Sequence, residues 1–353
     1  MNNPAAVPDF AVVPGTTVHE MLDGRQEEVT GLVERTYLLH GEARTVNPPS
    51  YFLRFPDRPS SRIIALPASV GGDRAVDGIK WIASFPSNLE RGIPRASAVL
   101  VLNTPGTGYP YACLESSIIS AVRTAASAAV AARALTRDRP APRRVGYIGT
   151  GLIARYLHTY LSSLGWEPEE TGVHDLSREY AEAFAGHLRS TGDAGTVRVH
   201  DSAEELIRSC DVVVLATTAA APHLTDPSWF AHHPLVLHVS LRDLGTDVVL
   251  DSVNVVDDVE HVLKADTSVH LAEQLTGGRE FIGGTLYDVL TGRFTPPADR
   301  TVVFSPFGLG VLDLAVGDHV YTRARETGKL AVVDGFFHDL ERHRAPAARG
   351  GER

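Results

Sequence analysis

The stretch VGYIGTGLIA at residues 145–154 decides the fold of this chain. A short apolar run, 145–148, ends in Gly149-Thr150-Gly151 and passes through Leu152 and Ile153 to Ala154, where a helical pattern takes over across 155–164. In such a strand–turn–helix unit the first glycine permits the tight turn and the second lets backbone approach a pyrophosphate. The small third residue lets the helix pack on the strand. The helix N-terminus then presents unpaired N–H groups to the phosphates. A second apolar strand ends at His174-Asp175, where a carboxylate meets ribose hydroxyls. Asp175 favours NAD over NADP, since a carboxylate repels a 2′-phosphate, and nearby Arg178 softens that preference. The competing reading is a tight turn in some other α/β fold.

Downstream of this loop, strand and helix alternate. Residues 172–174, 197–199, 212–216, 235–240 and 254–256 read as strands, with helices at 179–190 and 203–209 between them. This is the alternation of a doubly wound parallel sheet, a Rossmann-type α/β unit. Upstream the pattern changes. A helix-like run, 18–39, is broken at Gly24, and strands are expected at 51–55, 62–66, 78–85 and 97–103. A long helix of small residues at 115–135 leads into the charged, Pro-rich segment 136–144. After Ser305 one more helix, 309–326, and a short strand, 331–333, are expected to rejoin the N-terminal unit. The expected organisation is therefore a strand-rich α+β domain from 1–128 and 309–340. A dinucleotide-binding domain spans 129–308, and 341–353 is a disordered tail.

Composition narrows the function classes. With 353 residues the chain is long enough for about two domains, each with a full core. A net charge of -10 and the lack of a long Lys/Arg cluster argue against a nucleic-acid surface. The two cysteines, Cys113 and Cys210, lie far apart and fit a reducing cytoplasm. No signal peptide is read at the N-terminus, and no apolar stretch is expected to span a bilayer, the nearest candidate at 118–135 being interrupted by Arg123 and Arg133. Fifteen histidines show no metal-ligand spacing, so no metal is expected.

Three residues stand out as chemistry. Arg123 lies in an alanine-rich helix with no carboxylate three or four residues away. It is either a surface arginine or a guanidinium fork for a substrate carboxylate. Lys80 lies mid-strand between Ile79 and Trp81, where a solvated lysine is the default. Asp243 follows the fifth strand of the dinucleotide sheet, in His238-Val239-Ser240-Leu241-Arg242-Asp243, and the carboxyl ends of such strands line the ligand crevice. A turn or cap aspartate is the alternative there.

Taken together, the segments resemble the ornithine cyclodeaminase/μ-crystallin family of NAD(P)-dependent enzymes from about residue 62 to 317. Leu66-Pro67, Gly78-Ile79-Lys80-Trp81, Phe85-Pro86-Ser87-Asn88 with Gly92, and Thr107-Gly108-Tyr109-Pro110 carry the resemblance. So do Glu115, Arg123-Thr124-Ala125-Ala126, the glycine loop, 238–243, Leu286-Tyr287-Asp288-Val289 and Thr291-Gly292-Arg293. Phe52-Leu53-Arg54-Phe55, Ile79-Lys80-Trp81-Ile82, Ala112-Cys113-Leu114-Glu115 and Ser240-Leu241-Arg242-Asp243 are most similar to one branch. That branch makes 2,3-diaminopropionate by oxidising N-(2-amino-2-carboxyethyl)-L-glutamate. Ornithine cyclodeaminases instead carry an Asn-Ala-Val-Gly-x-Asp pattern after the strand-five histidine, which this chain lacks.

The resemblance implies an NAD-dependent oxidoreductase acting on a CH–NH donor, with Asp243 as acid/base. Lys80 and Arg123 would handle substrate carboxylate and amine, and Arg54 would be a second carboxylate anchor. The expected cofactor contacts are Gly149, Thr150, Gly151, Leu152, Ile153, Asp175, Thr217, Thr218, Ser240, Ser305 and Gly308. The implied protein is a cytoplasmic homodimer serving siderophore or peptide-antibiotic assembly. Ornithine cyclodeaminase, a ketimine or imine reductase, and a non-catalytic μ-crystallin-like binding protein share the fold and are the rival readings.

Overall fold

A computed structural model describes residues 7–338. The expected tail lies outside the described residues. Two eight-stranded sheets organise the chain. The first collects β1 (Ala11–Val13), β2 (Thr45–Val46), β3 (Tyr51–Phe55), β4 (Arg58–Val70), β5 (Val76–Ser84), β6 (Ala96–Asn103) and β7 (Pro110–Glu115). Helices α1 (Gly15–Leu22) and α2 (Gln26–Gly41) are separated where Gly24 takes a left-handed φ of 69°, so the expected break is real. Strands β3 and β4 form a hairpin, and β4, β5, β6 and β7 continue it antiparallel.

Helix α3 (Ser117–Leu135) connects the two sheets and runs unbroken through residues 128 and 129. By length and composition it is apolar enough to cross a membrane, contrary to the expectation that no stretch is, but 67% of that window is buried within the protein. Its small side chains suit a core helix that must let α2 and α4 approach closely.

The second sheet contains β8 (Arg144–Ile148), β9 (Glu170–His174), β10 (Thr196–Val199), β11 (Val212–Leu215), β12 (Leu235–His238), β13 (Val253–Val256), β14 (Ile282–Thr285) and β15 (Val302–Ser305). All eight run parallel, in the order β10-β9-β8-β11-β12-β15-β13-β14. The central strands are apolar on both faces and buried, as a parallel sheet covered by helices requires. Between them lie α4 (Leu152–Ser162), α5 (Arg178–Thr191), α6 (Ala203–Ser209), α7 (Thr246–Asp251), α8 (Val259–Val262), α9 (Ser268–Thr276) and α10 (Leu286–Leu290). This is the doubly wound, Rossmann-type sheet expected from the glycine loop.

The chain then returns. Helix α11 (Gly310–Glu326) packs on β4, β5 and β6, and β16 (Ala331–Val332) pairs antiparallel with β1. The C-terminal elements thus rejoin the first sheet. The register places Lys80 opposite Leu66, Ile82 opposite Ile64, and Ser84 opposite Arg62, all on the side that α11 approaches. The other face carries Trp81 and is open to solvent.

Candidate active site

At the carboxyl end of β8, Gly149 adopts φ 86°, and a Cβ there would lie 2.6 Å from the Ala216 carbonyl oxygen. Only glycine makes this turn and lets β8 and β11 stay adjacent. Gly151 caps α4 without a side-chain hydrogen bond, and a Cβ on it would meet nothing within 4 Å. The space beside the helix start is open, and its amides are available to an anion. Thr150 is half-buried, Leu152 exposed, and Ile153 packs toward the core.

Asp175, one residue beyond β9, accepts hydrogen bonds from Thr150 N at 3.0 Å, Thr150 Oγ1 at 2.9 Å and Ser177 N at 2.9 Å. Its carboxylate is therefore fixed against the glycine loop. Beside it Leu176 is fully exposed, an apolar surface at the edge of the cradle. Arg178 is committed elsewhere, to Glu182 and to Asp201 at 2.7 Å. The cradle, open amides and carboxylate fit a dinucleotide with an unphosphorylated ribose.

Asp243 is fully buried at the end of a tight turn after β12. That turn holds Leu241 at φ 75°, a left-handed conformation costly for a side chain of this size. Two contacts fix it: Ser268 N donates to the Leu241 carbonyl at 2.8 Å, and Arg242 Nη2 donates to the Ala265 carbonyl at 2.6 Å. Asp243 Oδ1 meets the Thr217 hydroxyl at 2.5 Å and His223 Nε2 at 3.1 Å, while Ser240 Oγ donates to Oδ2. Burial raises the carboxyl's pKa, but the hydrogen bonds from His223 and Ser240 and the neighbouring His238 ring outweigh it, and Asp243 is held far below the usual range. His238 is buried, accepts from Asp243 N at 3.1 Å and lies 3.1 Å from Ser305 Oγ. Ser305 is thus engaged inside the protein through its hydroxyl, whereas Thr218 is exposed.

Lys80 is buried, 2% exposed, so the solvated-lysine default does not hold. Strand alternation supplies two faces but does not say which one a helix covers. Lys80 Nζ donates to Asp313 Oδ2 at 2.6 Å and to Ser120 Oγ at 3.4 Å. Arg123 Nε donates to Asp313 Oδ1 at 3.3 Å. Arg123 therefore has a carboxylate after all, brought by α11 rather than by its own helix. Desolvation pushes the Lys80 pKa down to about 8, with Asp313 raising and Arg123 lowering it. One buried carboxylate between two cations leaves a net positive charge that suits a substrate carboxylate.

The loop after β15 joins the two centres. Gly308, at φ 93°, lies against Arg123: a Cβ there would be 2.5 Å from Nη1. Asp257, buried after β13, accepts from Phe307 N at 2.9 Å and Gly308 N at 2.7 Å. Contact thus runs from Arg123 through this loop to Ser305, His238 and Asp243. Arg54 lies on exposed β3, its guanidinium 5.1 Å from the Phe52 ring centre, on the same sheet face as Lys80. Asp313, His223 and Asp257 escape the sequence reading. Asp313 alone left a trace, a single carboxylate inside the apolar run GVLDLAVG, 310–317. Among the described residues no cluster suits a metal ion, and both cysteines are free thiols.

Fold and site define a dinucleotide-binding protein with a buried carboxylate, Asp243, and a separate buried charge cluster of Lys80, Asp313 and Arg123. The chain belongs to the ornithine cyclodeaminase/mu-crystallin family, whose sequence profile matches residues 16–328. It is 31% identical over 311 residues to the nodulation efficiency protein NfeD of Rhizobium meliloti, covering 86% of this chain and 92% of that one. It is 28% identical over 273 residues to the N-((2S)-2-amino-2-carboxyethyl)-L-glutamate dehydrogenase of Staphylococcus aureus, covering 76% and 80%. The crystal structure of CmnK is 32% identical with a TM-score of 0.83, covering 94% of this chain and 99% of that chain.

Proposed function

We propose that this protein is an NAD-dependent oxidoreductase that oxidises and hydrolyses N-(2-amino-2-carboxyethyl)-L-glutamate to 2-oxoglutarate and L-2,3-diaminopropionate. The observation that carries the reading is the Lys80–Asp313–Arg123 cluster, linked through the Gly308 loop to Asp243 beyond the carboxyl end of β12, two strands from the glycine loop. The likeness to the Staphylococcus aureus dehydrogenase supports this substrate.

When bound, NAD supplies the acceptor for the hydride from the glutamate α-carbon. Gly149, Gly151 and the α4 amides would hold its pyrophosphate, Asp175 its ribose, and Thr217, Thr218 and Ser240 line the strand ends beyond. Lys80 and Arg123 bind the α-carboxylate and so fix the reacting carbon. Loss of the hydride and the amine proton leaves a carbon–nitrogen double bond on the substrate. Water adds there, and the carbon–nitrogen bond breaks to give the keto acid and the free amine. Asp243, ionised at neutral pH, orients His223, whose side chain is 41% exposed and connects the buried carboxylate to solvent. The pair takes up the proton and directs the water.

We further propose a cytoplasmic homodimer. The outer face of the first sheet sets Tyr51, Ala65, Trp81 and Val99 in one cross-strand row, with Tyr51 70%, Trp81 43% and Val99 41% exposed. Such a face is suited to a second copy. The test of the reaction is product analysis: the protein, NAD and N-(2-amino-2-carboxyethyl)-L-glutamate should yield 2-oxoglutarate and 2,3-diaminopropionate in equal amounts. Neither product appearing would refute it.

A further inference from the structure

Arginines gather at the edge of the first sheet nearest Asp243. Arg54 and Arg62 are directly opposed on β3 and β4. Ser84 is opposite Arg62 on β5, and Arg95, next to the start of β6, donates from Nη1 to Ser84 Oγ at 2.7 Å. These three side chains therefore share the face that carries Lys80. From the other sheet Arg242, adjacent to Asp243, points one edge of its guanidinium at the Ala265 carbonyl. None of the four is ion-paired with a carboxylate among the described residues. Arg62, Arg95 and Arg242 are only half-exposed.

Unpaired like charges brought together and partly desolvated are costly. Burial lowers the pKa of Arg62, and the charges of Arg242, Arg95 and Arg54 lower it further. Arg242 is likewise lowered by burial and by Arg54, with Asp266 and Asp243 opposing. A fold retains such an arrangement where an anion completes it, and guanidinium forks match carboxylates two bonds at a time.

We infer that Arg54, Arg62, Arg95 and Arg242 form a second anion subsite, which takes the distal carboxylate of a dicarboxylate substrate whose α-carboxylate sits on Lys80 and Arg123. The inference rests on the proposed role of Lys80 and Arg123, and it deepens the proposed reaction by requiring a substrate with a carboxylate at each end. Family substrates with one carboxylate would leave this subsite unfilled.

The test is calorimetric titration of the NADH-loaded protein with 2-oxoglutarate and, separately, pyruvate. 2-Oxoglutarate should bind at least about tenfold tighter than pyruvate. Arg62→Gln, and independently Arg95→Gln, should close that gap while leaving pyruvate and NADH affinities unchanged. Equal affinities in the unaltered protein, no binding of either acid, or a gap that survives both substitutions would overturn the subsite. The readout is independent of turnover. A protein that shows the gap but leaves N-(2-amino-2-carboxyethyl)-L-glutamate untouched has the subsite and a different dicarboxylate substrate. One that turns the compound over with unchanged KM in both variants has the reaction without the subsite.

Discussion

Lys80, in the middle of β5, and Asp313, on α11, are 233 residues apart in sequence and 2.6 Å apart in space. Both are buried, and Arg123 approaches the same carboxylate from α3. Three elements distant in the chain therefore converge on one charge cluster. Removing Asp313 leaves the buried Lys80 ammonium uncompensated, which typically costs about 3–5 kcal/mol.

This pair sets a pH dependence. Burial lowers the Lys80 pKa from 10.5 to about 8. In the folded protein the ammonium loses its proton first, so between pH 8 and 10.5 the unfolded chain binds more protons and stability rises with pH. Carboxylate binding goes the other way, because it needs the ammonium: kcat/KM should fall as pH rises through about 8. Asp313 raises the Lys80 pKa, so Asp313→Asn should move the falling limb to lower pH. A limb that stays in place in that variant removes Lys80 from carboxylate binding.

If Asp243 serves the proton transfer proposed above, Asp243→Asn should reduce kcat by about 10²–10⁴-fold with NAD affinity intact. His223→Gln should show a smaller loss of the same kind. Single-turnover rates and NAD titrations check both. Full activity in Asp243→Asn would mean that its hydrogen bonds serve the turn alone.

Gly308→Ala tests the loop between the two centres. At φ 93°, with Arg123 Nη1 2.5 Å from the new methyl position, the substitution must strain the backbone and displace the guanidinium. The left-handed conformation alone costs about 1–2 kcal/mol. KM should rise more than kcat falls, as it should in Arg123→Ala. Unaltered kinetics in both variants would return Arg123 to a structural role.

Asp175→Ala should weaken NAD by about tenfold, the loss expected for one charge-assisted hydrogen-bond site. It should also narrow the preference over NADP, because the 2′-phosphate no longer meets a carboxylate. Competitive titration of both nucleotides measures this. A wild-type preference for NADP would contradict the assignment of Asp175.

The dinucleotide sheet is legible because its signals are local: a glycine turn, an apolar strand before it, and a helix period after it. The strands β14 and β15 go unread, one carrying two glycines in four residues and the other too short for a period. Hence the insertion of β15 between β12 and β13 is visible only in three dimensions. Lys80 and Arg123 are recognisable as candidates, but their shared partner is not, since a helix from the far end of the chain supplies it. His223 and Asp257 are lone residues in loops, and nothing in their neighbours announces a role. The arginines at 54, 62, 95 and 242 are dispersed in sequence and become a cluster only when β3 and β4 pair and the two sheets meet.

The most direct measurement follows NADH absorbance with purified protein and NAD, offering N-(2-amino-2-carboxyethyl)-L-glutamate, L-alanine and L-ornithine in parallel, with proline assayed in the ornithine arm because cyclisation recycles its NADH. NADH formation with the glutamate derivative, at a kcat/KM at least about 100-fold above that for alanine, and no proline from ornithine is the expected result. Proline formation, or faster oxidation of alanine, would contradict the proposed substrate and assign the site to another reaction of the family.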